Sequence, residues 1–141
     1  MIIEKRIKDF EKLGFGMFVH FGLYSLMEKG EWIQHWLNAS SEEYAKLAQR
    51  FNPEPDWAKK LVATAKKAGC RYITLTSRHH EGFSLYDTCG LNDFDAPHSA
   101  AGRDVVREFV DACNEEGIIP FSVRMLRQCI LLIAHISLVV G

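Results

Sequence analysis

The sequence predicts an α/β fold of about three βα units around a parallel sheet, arranged as in a (β/α) barrel. Three observations carry this. Short apolar or β-branched runs at 15–21, 72–77 and 118–123 alternate with helix-periodic segments. That alternation gives consecutive parallel strands joined by right-handed crossovers. Long polar loops follow the strands, whereas only about one residue separates each helix's terminal glycine from the next strand. Barrels of this kind carry their functional loops at the strand C-termini. No Gly-x-Gly-x-x-Gly occurs, which argues against a dinucleotide fold, and no cofactor is expected.

Residues 4–12 are charge-rich and read as a short surface helix. The run from Phe15 to Phe21 is almost continuously apolar between glycines, which suits a strand buried on both faces. Leu23 to Ala39 reads as a long loop holding Gly30, Trp32, His35, Trp36 and Asn38. Ser40 and Glu43 have capping-box spacing, and Tyr44, Leu47, Ala48 and Phe51 then share one helical face. Asn52-Pro53-Glu54-Pro55 ends that helix. Asp56 can cap the next, whose apolar face is Trp57, Leu61, Val62, Ala65 and Ala68, with Gly69 as its terminal glycine. Tyr72 to Ser77 is the second strand, followed by a loop from His79 to His98. Asp93 and Asp95 read there as solvated turn residues. A third helix spans about 103–116, with Val105, Val106, Phe109, Val110 and Cys113 inward and Gly117 at its end. Ile118 to Val123 is the third strand.

Bulk composition restricts the function. The chain has 141 residues, enough for one modest domain, with 48% hydrophobic and 25% charged residues. A formal net charge of -1 gives no general field for nucleic acid or an anionic membrane, and neither partner is expected. Cys70, Cys89, Cys113 and Cys129 form no Cys-x-x-Cys pair and no zinc spacing, and they read as free thiols. No apolar signal-peptide core follows the charged N-terminus, so a cytoplasmic location is expected. Residues 130–140 are almost wholly apolar without amphipathic period, too short for the roughly 20 residues of a membrane span. Exposed, such a run favours self-association.

The chemistry gathers at the strand ends. His20 ends the first strand, and His79 and His80 follow the second. The loop bearing Glu31 and Trp32 leaves the same rim. Imidazole and carboxylate hydrogen-bond hydroxyls in fixed directions, and an aromatic face covers a sugar ring's C–H surface. Other readings stand beside this one. His20 could be a satisfied core histidine, His79-His80 a solvated turn, and Trp32 and Trp36 packing under a long loop. A metal on His20, His79 and Glu31 lacks a ligand spacing such as His-Glu-x-x-His, so no metal is expected.

The same residues carry a family resemblance. Gly-Met-Phe-Val-His-Phe-Gly-Leu-Tyr-Ser (16–25), Gly-Glu-Trp (30–32), Phe-Asn-Pro (51–53), Ala-Gly-Cys-Arg-Tyr (68–72), Arg-His-His-Glu-Gly-Phe-Ser-Leu-Tyr (78–86) and Gly-Arg-Asp-Val-Val (102–106) resemble the N-terminal part of the α-L-fucosidases of glycoside hydrolase family 29. The resemblance covers about Phe10 to Phe121. It implies the N-terminal portion of a (β/α)8 TIM-like barrel, incomplete with three strands. It also implies retaining, metal-free hydrolysis of terminal α-L-fucose from a small-molecule or glycan substrate.

By the same resemblance, His20, Glu31, Trp32, His79 and His80 match positions that hold the fucose ring and its hydroxyls. The family's nucleophile Asp and acid/base Glu lie on later strands, so no catalytic residue is assigned here. After Phe121 the sequence departs from the family, as a frameshift or an incorrect gene model would make it. Residues 1–121 thus read as a partial barrel domain and 122–141 as a divergent apolar tail. The polypeptide is expected to be inactive and to present an open sheet edge. The alternative is a non-catalytic sugar-binding or interaction fragment.

Overall fold

The computed structural model describes residues 2–125 and 135–138. Helix α1 (Ile2–Glu11) precedes strand β1 (Gly16–Val19). A 3-10 turn (Leu23–Met27), α2 (Ile33–Trp36), α3 (Ser41–Ala45), a second 3-10 turn (Lys46–Arg50) and α4 (Trp57–Lys67) lead to β2 (Tyr72–Arg78). Helix α5 (Val105–Glu116), β3 (Ile119–Arg124) and β4 (His135–Leu138) complete the order. The sheet runs β1-β2-β3-β4. The first three strands are parallel, and β4 is antiparallel to β3, pairing Phe121 with Leu138 and Arg124 with His135. The described part is thus a small α/β fold with a three-strand parallel core.

The helices start and stop where local chemistry dictates. Ser40 Oγ accepts the Glu43 N–H at 3.2 Å, and Asp104 Oδ1 accepts the Arg107 N–H at 2.8 Å. Each satisfies a donor that a helix N-terminus leaves over. At Gly117 the backbone turns left-handed, as a terminal glycine allows. Asp56 holds the capping position of α4 but makes no capping bond. Its carboxylate pairs instead with Lys60 Nζ at 3.2 Å, correcting the expected cap.

Alternation along β2 sends Ile73 and Leu75 to one face, where they join Val62, Ala65, Val105 and Phe109 in the core. The Trp57 indole N–H donates to Glu108 at 2.8 Å and ties α4 to α5. On the face carrying Tyr72 and Phe121, Phe10 of α1 packs within 5.2 Å and 5.6 Å of those two rings.

Two expectations change. β1 is not buried on both faces: Phe18 is 56% exposed, because among the described residues no second layer covers that side of β1. Residues 23–39 are not an irregular loop. Leu23, Tyr24 and Ile33 are buried, and the two short helical turns follow from burying them. β4 extends the sheet past β3, pairing from Phe121 to Arg124, and β1 remains an edge strand without a partner on its outer side among the described residues. The remainder of the apolar run, and Cys129, lie outside the described residues. No helix among those described is long and apolar enough to cross a membrane.

Candidate functional site

Parallel register sets the rim. Val19, the last residue of β1, pairs with Leu75 of β2, so His20 leaves its strand beside Thr76. The Phe21 N–H donates to Thr76 Oγ1 at 3.1 Å, and the Tyr24 hydroxyl meets the same oxygen at 3.0 Å. These bonds clamp the segment after β1 to the end of β2. Beyond β2 the chain turns tightly: the Gly82 N–H donates to the His79 carbonyl at 3.1 Å. Gly82 has φ 93°, open to glycine but strained for other residues. Phe83 then enters the core, 5.2 Å from both Phe51 and Phe94, and anchors the histidine pair from behind.

Four of the sequence-predicted residues meet as rings. His20 and His79 lie 5.5 Å apart, Trp32 and His79 5.7 Å, and His79 and His80 4.6 Å, centroid to centroid. Trp32 stacks on His80 at 4.7 Å and 19°. Glu31, the fifth, joins through its backbone: His80 Nε2–H donates to its carbonyl oxygen at 3.1 Å. A carbonyl can only accept, so this bond sets the His80 proton on Nε2. Two alternative readings fall away. His79 is 2% exposed and not in a solvated turn, and His20 is exposed and not a core residue. Trp36 is 66% exposed and packs under nothing among the described residues.

Two of the rim histidines are shifted away from the charged form. Partial burial holds His20 below the usual histidine range, with Glu31 opposing and His79 adding. Burial likewise lowers His80, helped by His79. Behind them, burial pushes the Tyr24 and Tyr44 phenols far up, and the Glu81 carboxylate adds to both.

Two members of this cluster escaped the sequence reading. Tyr24 lies 5.4 Å from His79, ring to ring. The Glu81 side chain is 2% exposed, and its Oε2 sits 3.5 Å from His79 Nδ1. The signal for Glu81 was present: it directly follows the histidines and precedes the turn glycine and buried Phe83, which draw it inward. His79, His80 and Glu81 also offer ligand atoms within 4.8 Å of one another, a spacing a divalent cation could use.

Asp93 and Asp95 separate. The Asp93 side chain is 88% exposed, as expected of a solvated turn. Asp95 is fully buried, correcting that reading. Its carboxylate accepts from Thr88 N–H and Oγ1–H at 3.2 Å and 2.8 Å, and from His98 N–H and Nδ1–H at 3.1 Å and 2.6 Å. It locks the 88–98 loop.

A parallel βα sheet with polar and aromatic side chains gathered past its strand C-termini has the build of an α/β enzyme domain. The pattern that defines the family "Alpha-L-fucosidase" matches residues 3–125. The chain belongs to the α-L-fucosidase family. It is 30% identical to the tissue alpha-L-fucosidase of Rattus norvegicus, over 77% of this chain and 27% of the relative. Alpha-L-fucosidase isoenzyme 1 from Paenibacillus thiaminolyticus superposes with a TM-score of 0.80 at 39% identity, over 86% of this chain and 28% of that one. The fucosidase AlfC from Lactobacillus casei, solved with its α-L-fucose product, gives 0.74 at 33%, over 82% and 39%. The chain spans about a quarter of the length of the curated relatives it matches.

Proposed function

We propose that the rim holds a terminal α-L-fucose and that these residues form the sugar-holding part of a retaining α-L-fucosidase. The observation that supports this most is the ring cluster of His20, Trp32, His79 and His80, drawn from three separate segments to one strand-end rim within 5.7 Å contacts. Neutral imidazoles can donate or accept toward hydroxyls. Glu31 supplies an acceptor. Trp32 has one face pinned by His80 while the residue stays 41% exposed, which suits a sugar's apolar face. The fucose bound by AlfC supports the same ligand class.

In this reading the sheet begins a (β/α)8 barrel, with residues 1–121 inside it and 122–141 divergent. A retaining glycosidase needs a nucleophile and an acid/base whose carboxyls stand about 5 Å apart. The resemblance puts both on later strands. A polypeptide of residues 1–141 alone therefore binds fucose without hydrolysing an aryl α-L-fucoside. Calorimetry with fucose, beside a turnover assay, tests this. No heat of binding, or turnover abolished by a substitution within residues 1–141, would refute it.

A further inference from the structure

His79 Nδ1 and Glu81 Oε2 are both sealed from solvent, and neither has a hydrogen-bond partner. They face each other at 3.5 Å, with both side chains only 2% exposed. That gap is a few tenths of an ångström beyond an ordinary N–H···O bond, so a small torsion of Glu81 closes it. A buried donor and a buried acceptor, each otherwise orphaned, satisfy one another at the least cost. The carboxylate cannot turn far. A Cβ built on Gly22 would stand 3.4 Å from Glu81 Oε1, so the backbone after β1 walls that oxygen. The Tyr44 hydroxyl is likewise buried and unpaired, and the Glu81 carboxylate adds to the burial that pushes its pKa up.

We propose that Glu81 is a positioning residue whose buried carboxylate holds the His79 proton on Nδ1, leaving the Nε2 lone pair to accept from a sugar hydroxyl. The hydroxyl part rests on the fucose-holding function proposed above. Which ring nitrogen of a histidine is protonated is set by the bond the other one makes. His80 is set the opposite way, because its Nε2–H donates to the Glu31 carbonyl. Adjacent histidines are thereby fixed as opposite tautomers, each by its own partner.

Long-range proton–nitrogen correlation spectra of the 15N-histidine-labelled full chain at mildly alkaline pH test the proposal, with His79→Gln assigning the His79 signals. The expected result is a protonated Nδ1 and a bare Nε2 for His79, and the reverse for His80. Glu81→Leu returns the proton to Nε2 and weakens fucose binding up to roughly tenfold. Glu81→Gln keeps the shape if leucine does not fold. Its amide can meet the ring through either atom, so a mixed population replaces the single tautomer.

A wild-type His79 protonated on Nε2 would overturn the proposal. So would a folded Glu81→Leu, or a Glu81→Gln, that keeps the wild-type tautomer. Stoichiometric Zn(II) uptake lost in Glu81→Gln would overturn it too, since a metal rather than a proton would then occupy Nδ1. Adding fucose separates the two readings. The expected tautomers without fucose-induced shifts sink the sugar site alone, whereas fucose binding to an Nε2-protonated His79 sinks the role of Glu81 alone.

Discussion

Asp95 and Glu81 are the buried carboxylates among the described residues, and they are held in contrasting ways. Asp95 sits in the loop between β2 and α5 and accepts four bonds, two from Thr88 and two from His98. Glu81 sits under the rim with Oε2 unpaired, facing an unpaired His79 nitrogen at 3.5 Å. Burying a polar group without partners is costly, so a chain keeps such a group only where something else depends on it. The satisfied carboxylate builds the loop. The other carboxylate belongs to the site, where the proposed bond from His79 Nδ1–H is the use made of it.

The sharpest way to break this contrast is to remove each carboxylate and compare stabilities. Asp95→Ala strands the buried Thr88 N–H and unties His98, while the Thr88 hydroxyl keeps the Asn92 carbonyl at 2.7 Å, and should cost about 2 kcal/mol of unfolding free energy. Glu81→Gln keeps the shape and an amide that can still meet the His79 ring, and should change stability by under about 1 kcal/mol. Urea unfolding monitored by circular dichroism reads both. Asp95→Ala proving milder than Glu81→Gln would abolish the distinction. Asp93→Ala is the control, near neutral because its carboxylate lies 3.8 Å from His98 at an exposed position.

On the rim, the same substitutions should act on affinity more than on stability. Glu31→Ala is expected to cost about 2 kcal/mol in fucose binding if its carboxylate accepts a hydroxyl, and His79→Ala and His80→Ala about 1 kcal/mol each. Trp32→Ala should not add independently to His80→Ala, because the two rings stack at 4.7 Å. A double-mutant cycle should return roughly 0.5–1.5 kcal/mol of coupling. Strict additivity in calorimetry would mean that the stack does not shape the site.

The rim was more legible in the sequence than the loop behind it. His20, His79 and His80 fall at strand ends, and strand ends follow from β-branched runs and terminal glycines. The three parallel strands and the inward face of α5 were readable for the same reason: periodicity records burial directly. The 79–104 connection gives no such signal, because its burial is not periodic. Phe83, Leu85, Asp95 and Ala96 go inward at irregular spacing, each by its own turn. An Asn/Asp-rich stretch looks the same whether its carboxylate faces water or a threonine. Asp95 therefore reads from the sequence as a solvated turn residue, which its full burial corrects. The exposure of β1 was hidden for another reason. Its apolar run specifies two buried faces, and the described residues supply a cover for only one.

The smallest expected effect is a difference in the sign of pH dependence between the two regions. The Asp95 hydrogen bond raises His98 above its ordinary value of 6.5. A histidine raised on folding stabilises fully below its unfolded pKa, and that contribution is lost as pH climbs through the folded one. Burial lowers His20 and His80 below the same 6.5. For them the unfolded chain binds more protons, so their neutral burial is stable above 6.5 and loses ground as pH falls toward the folded pKa. Burial alone would raise Asp95, but the bonds from His98 and Thr88 outweigh it and hold it below its ordinary 3.8, so its contribution survives until strongly acid pH. His98→Gln should therefore flatten the fall of stability above pH 6.5, and His80→Gln should flatten the fall below it. Unfolding free energies from denaturant titrations at stepped pH, for both variants and the parent, decide the matter. If His98→Gln flattened the acid limb, or His80→Gln the alkaline one, the loop and the rim would not be held by opposite electrostatics.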